Sequence, residues 1–120
     1  MKIIKEVVSE DCFDGNFIKE YIVDTTITDE WIIYLEQFGT MTFLKNLENP
    51  FYSFDKQFFF TIKGILNENK IKVIFRRNTM DKSKEFFNLL LHSYKGSIED
   101  QKKVKYLEKE ILKEISKHLR

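Results

Sequence analysis

Residues 57–77, QFFFTIKGILNENKIKVIFRR, decide the fold, because apolar and polar side chains alternate along both halves of the stretch. Such alternation predicts two β-strands, and a turn centred on residues 68–69 joins them into a hairpin. In that register one face is apolar and ends in an arginine: Phe58, Phe60, Ile62, Leu66, Ile71, Val73, Phe75 and Arg77. A shift of one residue would turn Lys63, Lys70 and Lys72 into the core, so the pattern specifies which face is buried.

The opposite face of the hairpin is basic. It carries Lys63, Lys70, Lys72 and Arg76, and in the predicted register Phe59 lies on the same side. A sheet surface with cations and an aromatic ring can bind single-stranded nucleic acid through phosphate contacts and base stacking. Exposed lysines also serve solubility and protect sheet edges from aggregation. These four cations form the candidate anion-binding or nucleic-acid-binding surface.

The rest of the chain supplies further strands and three helices. We predict extended segments over residues 2–8, 17–27, 40–44 and 51–54. Residues 17–23 also fit helical spacing, but the β-branched residues that follow favour a strand. Between the second and third of these segments we predict a short helix over residues 29–38, with Thr28 as its N-terminal cap and Gly39 ending it.

Two helices follow the hairpin. The first begins near Asn78 or Thr79 and ends at Gly96, and Ser97 caps a longer helix that reaches almost to the C-terminus. Strands joined by short turns, followed by helices, are typical of the α+β class. We expect an antiparallel sheet of about four to six strands, one short helix after the second strand, and two C-terminal helices packed on one face.

Composition restricts the class of protein. The chain has 120 residues, 42% hydrophobic and 32% charged, which suits a single domain over residues 1–120 and excludes a disordered chain. No apolar run approaches the roughly 18 residues that span a bilayer, and the first residues lack the features of a signal peptide. The lone Cys12 forms no internal disulfide. We therefore expect a cytoplasmic protein with no membrane association.

Charge is distributed unevenly along the chain. Residues 1–60 hold 5 basic and 11 acidic side chains, whereas residues 61–120 hold 15 and 8. Such a division can guide an anionic partner or promote self-association, unless the two halves interleave in the fold.

Motifs for catalysis, cofactors and metals are missing from the sequence. Cys12 is surrounded by acids that disfavour its thiolate, and the only histidines, His92 and His118, are far from it in sequence. The few glycines lie in no phosphate-binding spacing. We therefore assign no catalytic residue, no metal and no cofactor.

Two further features suggest binding. Trp31, Tyr34 and Tyr94 are candidates to line a small-ligand or enzyme pocket between sheet and helices. On the last helix, Glu108 falls among apolar positions and Tyr106 lies alone on the far side, a pattern that suits contact with another chain.

A non-enzymatic binding or regulatory module is the function that these patterns favour. Its expected partner is a protein, with a second copy of this chain among the options. The alternatives are a nucleic-acid binder that uses the basic face and a protein with a small-ligand pocket.

Overall fold

The computed structural model describes part of the chain: residues 1–11, 16–76, 79–96 and 98–118. Predictions were made for four residues outside this part: Cys12, Arg77, Asn78 and Ser97. The side chain of His118 also lies outside it.

The described chain forms one six-stranded antiparallel sheet and three helices. The strands are β1 Ile3–Asp11, β2 Asn16–Val23, β3 Thr40–Leu44, β4 Phe51–Lys56, β5 Phe60–Ile65 and β6 Lys70–Arg76. The helices are α1 Asp29–Glu36, α2 Met80–Ser93 and α3 Ile98–His118. In the sheet the strands follow the order β1-β2-β6-β5-β4-β3, so β1 and β3 are its edges. The predicted α+β class, the helix after the second strand and the two C-terminal helices are confirmed.

The hairpin of β5 and β6 buries the face that its alternation predicts. Phe60 lies opposite Phe75, and Ile62 opposite Val73, with these side chains directed under the helices. The turn is centred one residue earlier than predicted, on Asn67 and the residue after it, because Asn67 adopts a left-handed φ of 70°. This moves the pairing by two residues and therefore leaves every side chain on its predicted face.

The start of β5 corrects one prediction. Phe59 is fully buried and Phe58 is 36% exposed, the reverse of the predicted arrangement. The strand begins only at Phe60, and the N–H of Phe59 donates to the Lys56 carbonyl at 2.9 Å, which closes a turn in which Phe58 has a φ of 72°. The period of two does not extend into this turn, so Phe59 faces α2, where its ring lies 5.2 Å from that of Phe86.

The second strand is shorter than predicted. Residues 17–23 are a strand, not a helix, but β2 ends at Val23 and the predicted extension to Ile27 is wrong. The chain leaves the sheet there because Ile27 bonds the β5–β6 turn: its N–H donates to the Glu68 carbonyl, and its carbonyl accepts from the N–H of Asn67, each at 2.8 Å.

Aromatic side chains dominate the core between sheet and helices. Gly64 on β5 leaves room for the Tyr52 ring, because a Cβ at Gly64 would lie 2.8 Å from it. Tyr52 in turn accepts a hydrogen bond from the Trp31 indole at 3.1 Å. Val104 and Ile111 anchor α3 in the same core.

Candidate functional site

The aromatic residues predicted to line a pocket pack against one another. Trp31, Tyr34 and Tyr94 are all buried, and the three pairs of ring centroids lie 5.1 to 5.8 Å apart. The Tyr34 hydroxyl donates to the Leu90 carbonyl at 2.7 Å. None of the three lines either of the two surface cavities described below. The three side chains predicted to line a ligand pocket are thus buried among the aromatic side chains of the core.

Burial also sets the acidity of the core tyrosines. It raises the pKa of Tyr21 to about 12, with a smaller contribution from the nearby Glu6 carboxylate. The pKa values of Tyr34 and Tyr52 are raised by burial as well. Burial therefore favours the neutral hydroxyl in all three side chains.

The predicted cations lie together on the sheet surface that faces away from the helices, here called the open face. Lys63 on β5 is directly opposite Lys72 on β6, which places their Cβ atoms roughly 5 Å apart. The Lys70 ammonium forms an ion pair with Glu20 at 3.2 Å. Lys70, Lys72 and Arg76 are exposed. The four residues that the sequence indicated therefore share one accessible surface.

Aliphatic side chains separate these cations. Ile18, Ile22, Ile65 and Ile74 also belong to the open face and are partly exposed. Beside them, a shallow depression of about 220 Å³ is lined by Glu20, Lys63, Gly64, Ile65, Glu68, Lys70 and Lys72. The open face therefore combines apolar surface with an excess of positive charge and contains some carboxylates.

Sequence analysis missed a buried lysine on the opposite side of the sheet. Lys56 points under the helices, where its ammonium donates to the Phe38 carbonyl and lies 2.7 Å from the Glu108 carboxylate. It also lies over the rings of Phe59 and Phe86, at 5.6 and 5.8 Å from their centroids. Glu108, which looked misplaced among apolar positions, is thus the internal partner of Lys56.

The signal for Lys56 was present in the alternation. Tyr52 and Phe54 are buried, and Lys56 continues the same period of two along β4. The predicted strand ended at Phe54, two residues too early for this pattern to be seen.

A larger cavity lies beside the edge strand β3, here called the edge groove. Its volume is about 430 Å³, and its lining is Asp29, Ile32, Ile33, Glu36, Phe43, Lys45, Pro50 and Leu66. Five of the lining side chains are apolar, and the two carboxylates belong to α1. The Lys45 ammonium lies 5.5 Å from the centroid of the Phe43 ring. No sequence motif pointed to this groove, because its residues come from four separate segments.

Ion pairs connect the acidic and basic halves of the chain. Lys70 with Glu20, and Lys95 with Glu30, each join a cation of the basic half to a carboxylate of the acidic half. The division of charge seen in the sequence is therefore partly neutralised by the fold.

Within the described residues there is no group of three or more His, Cys, Asp or Glu side chains that could hold a metal ion. His92 is exposed on α2. Likewise, no helix among the described residues has both the length and the apolar composition needed to cross a bilayer.

Comparison of the chain with protein-family models, curated proteins and solved structures found no match.

Proposed function

We propose that this protein is a cytoplasmic, non-enzymatic binding module that docks an acidic protein surface on its open face. The facing pair Lys63 and Lys72 carries the proposal. Like charges directly opposite on a sheet are destabilising, and an anionic group placed between two such ammonium groups would remove the repulsion. Glu20 compensates on one side only, since it lies opposite Lys72 and pairs with Lys70.

The isoleucines between the cations support a protein partner. Ile18 lies opposite Ile74, which gives the centre of the open face an apolar strip. Protein interfaces combine an apolar centre with a polar rim, and charges at the rim steer the partner. Carboxylates on a partner would meet Lys63, Lys70 and Lys72 while its apolar side chains cover the strip.

Single-stranded nucleic acid receives less support. Such ligands are held largely by bases stacked on aromatic rings. Phe59, the ring expected beside the cations, lies in the core, and the outward positions on β2, β5 and β6 hold no aromatic residue. Among the described residues, β3 and β4 add one ring to this side, that of Phe51, which lies on β4 opposite Ile65 of β5. A single ring offers little stacking surface beside these cations, which favours an acidic protein over a nucleic acid.

Binding of two defined probes tests the proposal. A labelled peptide of alternating Glu and Val and an oligothymidylate of equal charge are titrated by fluorescence anisotropy at low and high salt. The peptide should bind the more tightly, with an affinity that falls as salt rises. In the double variant Lys63→Glu/Lys72→Glu its affinity should fall about tenfold or more.

A matched control reverses two exposed lysines elsewhere. Lys82→Glu/Lys113→Glu makes the same change in net charge on α2 and α3, and should leave peptide affinity within about twofold of the original. Equal losses in both double variants would refute the open face as the site. If oligothymidylate binds more tightly than the peptide and the Lys63→Glu/Lys72→Glu variant loses that binding, the partner of the open face is a nucleic acid and not an acidic protein. If neither probe binds, both partners are rejected.

A further inference from the structure

The two edges of the sheet differ in how they are protected against pairing with another strand. The β1 edge has two register shifts in its pairing with β2, and it carries Lys5 and Glu6 as exposed charges. Bulges and charges of this kind prevent the addition of a further strand. In the described part of the chain β1 is therefore a blunted edge.

The β3 edge lacks these devices. Thr40–Leu44, sequence TMTFL, contains no charge and no proline, and pairs with β4 through five consecutive residues without a bulge. Alternate residues of an edge strand direct their N–H and carbonyl groups away from the sheet. Within the described residues β3 has a strand on one side only. It therefore presents a regular row of backbone donors and acceptors.

The edge groove lies next to this backbone. Its apolar lining includes Phe43 of β3 and two isoleucines of α1, Ile32 and Ile33. Of these, Ile33 is 61% exposed. Strand addition needs backbone hydrogen bonds for affinity and a groove for alternate side chains of the added strand. The β3 edge provides the hydrogen-bonding groups, and the edge groove with its exposed isoleucine receives the side chains.

Charge at the rim of the groove indicates the chemistry of the occupant. Asp29 and Glu36 are exposed on α1, about two helical turns or 10.5 Å apart, and neither has an ion pair among the described residues. Glu30, on the same helix, is already paired with Lys95. The groove also has a cation, Lys45, whose ammonium lies against the Phe43 ring next to β3. The α1 side of the groove therefore carries only negative charge among its lining residues, and its two carboxylates complement a basic side chain.

From these features we infer that the β3 edge and the edge groove bind an extended peptide segment of another protein by strand addition. The segment directs alternate apolar side chains against Ile33 and Phe43, and a lysine or arginine toward Asp29 or Glu36. This site is separate from the open face, and its partner chemistry is opposite, since the open face takes an acidic surface.

Selection from a phage-displayed library of linear decapeptides tests this inference on the full chain. Enriched peptides should alternate apolar residues and contain lysine or arginine. Synthetic copies are then titrated by fluorescence anisotropy. Ile33→Asp should weaken their binding about tenfold or more, and Glu36→Lys by about threefold or more.

Ile4→Asp is the matched control, because Ile4 is 65% exposed on the blunted β1 edge. It should leave affinity within about twofold of the original, as should Lys63→Glu/Lys72→Glu on the open face. Amide hydrogen exchange in Thr40–Leu44 should slow when peptide is added, since the outward N–H groups become bonded. The open-face variant separates this site from the proposed function, which can fail or succeed independently.

Several outcomes would overturn the inference. They are the enrichment of no peptide, equal binding to Ile33→Asp, or bound peptide that leaves exchange at β3 unchanged. A dimer of the original protein that Ile33→Asp converts to monomer in sedimentation would assign the edge to a second copy of this chain instead.

Discussion

Lysines on the two faces of the sheet differ in burial and in their partners. Lys56 points under the helices and is held by the Phe38 carbonyl and by Glu108, whereas Lys72 points into water opposite another lysine. Both lie on strands of the same sheet, so the difference comes from strand alternation. A cation under the helices requires a partner within the fold, while a cation on the open face stays available to one outside it.

The largest expected effect concerns which ring is buried under the helices at the start of β5. Phe59→Ala removes a fully buried ring and should lower the free energy of unfolding by about 3–5 kcal/mol. Phe58→Ala, at a 36% exposed site, should cost less than about 1 kcal/mol. Urea denaturation measures both variants. If Phe58→Ala proved the more damaging, the ring predicted from simple alternation would be the buried one after all.

Lys56 provides the second test. Lys56→Met leaves the Glu108 carboxylate without its partner and should cost about 3 kcal/mol, at the low end of the range because the Glu108 side chain is 22% exposed. The double variant Lys56→Met/Glu108→Leu should regain most of that loss, since no unpaired charge remains.

Lys72→Met on the open face is the control for Lys56→Met, and it should change stability by less than about 0.5 kcal/mol. Equal losses from the two single lysine variants in urea denaturation would show that the two faces do not differ in the way described.

Sequence determined the faces of the sheet more reliably than its ends. Alternation placed Ile62, Val73 and Phe75 in the core even though the turn was centred one residue off, because a shift of pairing by two preserves the faces. Where a strand stops depends on contacts distant in sequence. β2 ends at Val23 because the following loop bonds the β5–β6 turn, which no local pattern reveals.

The candidate sites divide in the same way. Lys63, Lys70, Lys72 and Arg76 were predictable as a group, since each occupies an outward position on one hairpin. The edge groove was not, because it requires knowing that α1 packs beside β3 and that β3 is an edge. Strand order depends on partners distant in the chain, and local patterns carry little information about it.

Alkaline pH should weaken the helix side of the sheet. The pKa of Tyr21 is raised from its usual value near 10 to about 12, and those of Tyr34 and Tyr52 are raised too. Groups whose pKa is higher in the folded state stabilise it fully below the unfolded value, and this contribution is lost as pH rises through the folded value. Stability should therefore decline as pH rises from about 10 to 12.

Urea denaturation at increasing pH measures this decline. Tyr21→Phe should make it shallower, because one of the titrating hydroxyls is removed. A decline that is just as steep in Tyr21→Phe would exclude Tyr21 as a contributor.

The smallest expected effect is a gain. Lys63→Thr removes the like-charge pair with Lys72 and should raise the free energy of unfolding by a few tenths of a kcal/mol, more at low salt than at high salt. Lys70→Thr is the control, and it should bring no gain because Lys70 is paired with Glu20. If Lys63→Thr is more stable yet binds the acidic peptide less well, the repulsion between Lys63 and Lys72 is a cost to folding that binding relieves. A loss of stability instead would mean that Lys63 contributes to the fold itself, and the open face would then resemble the helix side in its use of charge.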